Sequence, residues 1–133
     1  MKRKALTIVF VIDIYDSGRN GTSATARRSA EYLRRRGHIV RVVSTGRAEA
    51  DKYVLAEKTI PLVSHIAGKQ SFIFAEPDRA VLREAFSGAD IIHFFLPLPL
   101  EIEALKIARE MGIPCCSAFH LQPENITYNI YKH

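Results

Sequence analysis

The chain has 133 residues, 47% of them hydrophobic and 25% charged, with a net charge of +5 and a pI near 9.4. That length can bury roughly 65–70% of the unfolded surface in one domain, and the ordinary balance of apolar and charged residues excludes a disordered or fibrous chain. The positive charge points to an anionic partner, whether phosphate, anionic lipid or nucleic acid, without choosing among them.

The opening "MKRKALTIVFVIDIYD" has the basic head and apolar stretch of a signal peptide. Asp13 and Asp16 break that stretch, no small-residue cleavage site follows, and the run is too short to span a bilayer. The expectation is a cytoplasmic protein whose first apolar segment, Ala5 to Ile12, is a strand covered on both faces, since it is continuously apolar and β-branched. Asn125-Ile126-Thr127 is then an unused glycosylation pattern. A helix is predicted from Thr22 or Ser23 to about Arg36, stopped by Gly37. At about 100° per residue it gathers Ala26, Ala30 and Leu33 on one side and Arg27, Arg28, Glu31, Arg34 and Arg35 on the other. The basic side is either simply solvated or rests on an anionic membrane surface, at up to about 1 kcal/mol per charge.

His38 to Ser44 reads as the second strand, and "TIPLVSH" and Phe72 to Ala75 as short strands in a loop-rich middle. Glu76 to Phe86 is predicted helical, ended by Gly88, and Ala89 to Leu96 is another buried strand. After the turn "PLPL", Glu101 to Met111 forms a helix with Ile102, Leu105, Ile107 and Ala108 available for burial and Gly112 as its stop. The segment "FFLPLPL" is either an apolar lip or a buried turn. Ile113 to Phe119 is the next strand, and "ENITYNIYKH" looks like the opening turns of a helix. Cys115 and Cys116 are adjacent, the wrong spacing for a structural disulfide or a metal site, and read as small core residues in a reducing compartment.

Strands alternating with helices give an α/β class, a single Rossmann-like domain with a doubly wound, mostly parallel sheet, because right-handed crossovers place helices on both faces. Such sheets bind ligands at the carboxyl ends of their strands. There the loop "DIYDSGRNGTSA" carries Gly18 and Gly21 ahead of a helix start, a place suited to an anionic group, which gains roughly 0.3–1 kcal/mol from the helix dipole. It is neither the Gly-x-Gly-x-x-Gly dinucleotide fingerprint nor a Walker loop, so NAD and ATP are not expected. His93 and His120 fall at the ends of predicted buried strands on the same edge, whereas His38 and His65 lack such a setting. A non-catalytic Rossmann-like module that binds a phosphorylated ligand or a protein partner fits the same pattern. Asp13 and Asp16 even hint at a phospho-receiver, but His120 stands where such a domain needs a lysine.

Two stretches carry a family resemblance: "NGTSATARRSAEYLRRRGHIVRVVSTG" and "DIIHFFLPLPLEIEALKIAREMGIPCCSAFHLQPENITYNI". Both resemble the amino-terminal domain of retaining glycosyltransferases of family 4, which have the two-domain GT-B fold, and the last stretch resembles bacterial members that glucosylate diacylglycerol. The resemblance implies that Gly18, Gly21 and Thr22 lie under the donor diphosphate and that His120 reaches the donor sugar. It also implies an acceptor rim of Asp16, His93, Gln122, Glu124 and Asn125. Where the family often has a second histidine two residues after the His93 position, Phe95 stands here. No metal or other cofactor and no nucleic acid is expected; the implied partners are a nucleotide-sugar, a lipid or other hydroxyl acceptor, and an anionic inner membrane face. The family holds the nucleotide mainly with a carboxyl-terminal domain, using a basic pair and two glutamates with seven residues between them. Glu49 with Glu57 and Glu76 with Glu84 repeat that spacing in the wrong context, so half an active site is expected within these residues.

Overall fold

The computed structural model describes residues 5–16, 21–64 and 68–117, and for residues 59–64 and 68–73 the backbone alone. In chain order the elements are β1 (Thr7–Val11), α1 (Gly21–Arg35), β2 (Ile39–Ser44), β3 (Lys52–Val54), β4 (Glu57–Ser64), β5 (Gly68–Ala75), α2 (Arg79–Phe86), β6 (Ile91–Phe94), α3 (Pro99–Glu110) and β7 (Cys115–Ser117). Five strands form one parallel sheet in the order β3-β2-β1-β6-β7. The chain winds outward from β1 in one direction and then restarts at its other side with β6. That reversal is the topological switch point of a Rossmann-like sheet, and it lies between β1 and β6.

The unbroken apolar run of β1 is explained by two cores. Ile8, Phe10 and Ile12 join Ala26 and Ala30 of α1, Val40, Val42 and Phe95 on one face. Val9 and Val11 join Leu82, Ala85 and Phe86 of α2 and Leu100, Ala104, Ile107 and Ala108 of α3 on the other. A strand with period-two side chains must be apolar at every position when helices cover both sides. The small alanines of α1 let its backbone approach the sheet, and Gly37, at φ +92°, turns the chain out of the helix into β2.

Four expectations are corrected. The middle of the chain holds more structure than expected: it supplies β3 to the sheet, and the two expected short strands run Glu57–Ser64 and Gly68–Ala75 and pair antiparallel in a separate hairpin. The proline-rich turn is shorter than expected, because Pro99 opens α3, where its missing N–H costs nothing. Within α3 the buried face includes Glu101 and omits Ile102, which is 54% exposed. Cys116 is exposed and is not a core residue, whereas Cys115 is half-buried and packs against the core cluster. Phe94, Phe95 and Leu100 are buried, while Leu96, Pro97 and Leu98 between them are only half-buried and Pro99 is exposed, so the exit of β6 is a partly covered turn.

Candidate active site at the carboxyl rim of the sheet

The rim is assembled by the residues that follow β1. Past Val11 the chain continues through Ile12, whose N–H donates to the Val43 carbonyl, and reaches Asp13, whose carbonyl receives the Ser44 and Thr45 hydroxyls at 3.2 and 2.6 Å. The Asp13 carboxylate accepts the Ala75 N–H at 2.8 Å and so ties the end of β5 to the end of β1. Three strand ends are thereby fixed around one buried aspartate, which the sequence offered as a break in the opening apolar stretch and a hint of a phospho-receiver.

Asp16, an expected acceptor-rim residue, is the hub of a second cluster. Its Oδ1 receives the Lys52 ammonium at 2.7 Å and the Arg27 guanidinium at 3.2 Å, and its Oδ2 receives the Arg47 N–H at 2.6 Å. The Lys52 side chain is 1% exposed and also donates to the Arg47 carbonyl. Burial pushes the Asp16 carboxyl up, but the hydrogen bonds from Lys52 and Arg47 and the charges of Lys52 and Arg27 outweigh it and hold the group below its ordinary range. Gly46, at φ +97°, passes so close that a methyl there would collide with the Asp16 carboxylate. A side chain is excluded at Gly46 by both conformation and space.

Arg27 departs from the expected solvated face of α1. Its guanidinium lies 4.2 Å above the Tyr15 ring, donates to the Tyr15 carbonyl at 2.9 Å and pairs with Asp16 and Glu49. Arg34 donates to the Val40 carbonyl. Two of the four arginines on that side therefore hold the fold together.

Helix α1 opens at Gly21, one residue before the earlier expected start, and Ser23 is not its cap: the Ser23 hydroxyl is buried and donates to the Ile14 carbonyl at 2.7 Å. Gly21 is exposed, and a methyl built on it would meet open space. The chain's own packing does not demand glycine there, while the first turn of the helix offers backbone N–H groups at the rim. Thr22 follows, half-buried, in that same turn.

His93 lies one residue before the end of β6, level with Phe10 on β1 and Cys116 on β7. Its ring packs edge-on against Phe95 at 4.6 Å and tilts over Phe10 at 5.7 Å, on the α1 face of the sheet. Its Nδ1 is 2.9 Å from the Cys116 sulfur. Burial lowers the imidazole and raises the thiol, so the two form a neutral pair. Leu6, Ile8, Phe10, Leu33 and Phe95 join them around an apolar groove of about 370 Å³. A second groove, about 550 Å³, lies at the rim between the hairpin and α3, where Lys58, Phe74, Glu76, Pro77, Leu98 and Glu103 line it. Sequence reading missed this groove because it depends on the β4–β5 hairpin. Gly18, His120, Gln122, Glu124 and Asn125 lie outside the described residues, as does the expected terminal helix. Among the described residues no group of three or more His, Cys, Asp or Glu side chains is placed to hold a metal ion.

A parallel five-stranded Rossmann-like sheet, with a glycine-led helix start on one side of its switch point and a proline-led one on the other, is the architecture of a GT-B half domain. The family model for Glycosyltransferase Family 4 matches residues 19–133, and the chain belongs to that family. A comparison with individual curated proteins found no match. The chain is thus a glycosyltransferase module. Among the described residues no helix is long and apolar enough to cross a membrane.

Proposed function

We propose that this module is the acceptor-side half of a retaining glycosyltransferase that moves a sugar, glucose from a UDP donor, to a lipid hydroxyl such as that of diacylglycerol. The observation that carries the reading is the family match over residues 19–133 on a sheet whose switch point is flanked by two helix starts. In this scheme the diphosphate sits over Gly18, Gly21 and Thr22, where backbone N–H groups and the dipole of α1 favour negative charge. His120 donates a hydrogen bond from a neutral imidazole to a donor-sugar hydroxyl and stabilises charge that develops in the transition state. The bond from the anomeric carbon to the diphosphate oxygen breaks while the acceptor oxygen bonds to the same carbon from the same face, and the acceptor proton leaves with the departing phosphate. Asp16, His93, Gln122, Glu124 and Asn125 form the acceptor rim, and neither a metal nor another cofactor takes part. A second, donor-binding domain completes the site, and the assembly works as a peripheral protein at an anionic, cytoplasmic membrane face.

The test joins the module to a donor-binding domain and follows sugar transfer from UDP-glucose to diacylglycerol in vesicles. Wild type is expected to turn over and His120→Ala to lose about 10²-fold or more, the scale of removing one preorganised donor. Undiminished turnover by His120→Ala removes that residue from the mechanism, and robust transfer by the 133 residues alone overturns the need for a second domain.

A further inference from the structure

Beneath the switch point the Glu101 carboxyl lies within hydrogen-bonding reach of Asp13, and among the described residues neither pairs with a cation. Asp13 is 1% exposed and Glu101, in the first turn of α3, is 4% exposed. Asp13 Oδ1 and both carboxyl oxygens of Glu101 have no donor among the described residues, although Asp13 Oδ2 holds the Ala75 N–H. Most charged and titratable groups on the surrounding elements are engaged elsewhere, and Lys58 of β4, which lines the groove beside Leu98 and Glu103, is exposed. Lys52 of β3 holds Asp16 and the Arg47 carbonyl, and Arg41 of β2 donates to the Ala85 and Ser87 carbonyls. Arg79 of α2 holds Glu103 and Glu110, Arg83 holds Glu110, and Lys106 of α3 pairs with Glu103. His93 of β6 faces the groove on the α1 side, Tyr53 of β3 is only partly buried, and Glu76, after β5, is exposed.

Two bare negative charges at this depth would repel each other where water cannot solvate them. One proton turns that repulsion into an O–H···O⁻ hydrogen bond, of the strongest kind found between side chains, and gives the orphaned oxygens a partner. We propose that Asp13 and Glu101 share a single proton, and that this acid pair is a positioning device fastening the first turn of α3 to the ends of β1 and β5 under the cleft. Burial, reinforced by the hydrogen bond and charge of Asp13, pushes Glu101 up to about 12, so the proton is retained through neutral pH. The folded state therefore binds one proton more than the unfolded chain at every pH between the ordinary glutamate value of 4.5 and that raised one. Stability from this site is complete below the lower value and declines as pH rises, by up to about tenfold in the folding constant per pH unit. The device belongs to the fold and does not depend on which sugar or acceptor the module serves.

The test is isotope-edited infrared spectroscopy on the 133-residue chain carrying ¹³C-labelled glutamate carboxyls. At neutral pH one protonated glutamate C=O band is expected, which Glu101→Gln abolishes. The glutamine amide can donate to Asp13 Oδ1, so this variant keeps the fastening and loses the proton. Its urea midpoint is expected to vary less with pH than that of wild type between about pH 6 and about pH 9. Glu101→Ala, which leaves Asp13 Oδ1 bare, is expected to expose the Ala75 amide to faster hydrogen exchange, with glutamine restoring protection. A wild-type spectrum with no protonated glutamate at neutral pH overturns the proposal even where no variant folds, and so does a Glu101→Gln variant with the wild-type pH slope.

Discussion

At the scale of single residues, the rim is held by buried charges that patterning does not reveal. Asp16 joins four segments: the end of β1, helix α1, the turn after β2 and strand β3. Because its folded-state value is depressed, the stability it contributes is complete above the ordinary carboxylate value of 3.8 and is lost as pH falls below it. Asp16→Asn leaves Lys52 as a buried cation without its counter-charge. We expect the variant to lose about 2 kcal/mol at neutral pH, below the usual cost of breaking a fully buried pair because Asp16 is 22% exposed. The deficit should shrink toward zero as acid protonates wild-type Asp16, so urea titrations of both proteins at neutral and acid pH check the size and the sign together. A constant deficit at every pH would show that the charge is not what matters. The family resemblance singled out Asp16 as a rim residue, but its partners come from residues 27, 47 and 52, whose approach only the folded sheet brings about. Arg27 shows the same limit from the other side: helical periodicity put it on the solvent face, while Tyr15 and Asp16 draw it back across the rim.

At the scale of elements, long periodic segments were legible and phase was not. The two-faced strand β1, the small-residue stripe of α1 and the glycine stops at 37, 88 and 112 follow from local chemistry; those glycines have φ of +92°, +74° and +69°. Helix α3 shows where this fails. Taking its start as Glu101 makes Ile102 a natural core residue, yet the helix begins at Pro99 and its buried line runs Leu100, Ala104, Ile107 and Ala108, with Glu101 beside it. An acidic residue is read as exposed because burying its charge is costly, and only the neighbouring Asp13 makes burial with a shared proton favourable. Ile102→Lys should accordingly change stability by no more than about 0.5 kcal/mol, whereas Ile107→Ala should cost about 2–5 kcal/mol by opening a cavity against the sheet. Denaturant midpoints of the two variants check this phase directly, and a severe loss from Ile102→Lys would contradict it. Strand β3 escaped notice for a different reason: it has three residues, and its place beside β2 is a long-range pairing with no local signature, whereas the two middle strands were expected, though not their pairing as the β4–β5 hairpin.

At the scale of the whole molecule, the positive field and the exposed face of α1 decide how the module would meet a membrane. The net charge of +5 does not translate into a uniformly available basic face, because Arg27 and Arg34 spend their hydrogen bonds inside the fold. Arg28 and Arg35 are exposed on the same helix. If the module works at an anionic surface, replacing Arg28 and Arg35 by alanine should weaken partitioning onto vesicles rich in anionic lipid by roughly tenfold or more at low ionic strength, since each charge contributes up to about 1 kcal/mol there. The difference should fade at high salt, where the Debye length contracts to about 3 Å. Replacing Arg27 and Arg34 instead should lower the unfolding midpoint, because Arg27 binds the Tyr15 carbonyl and Asp16 at the rim and Arg34 binds the Val40 carbonyl near the start of β2. Vesicle sedimentation and urea unfolding on both pairs separate the two roles. Equal partitioning of wild type and the Arg28/Arg35 variant would exclude α1 as the membrane-contacting face.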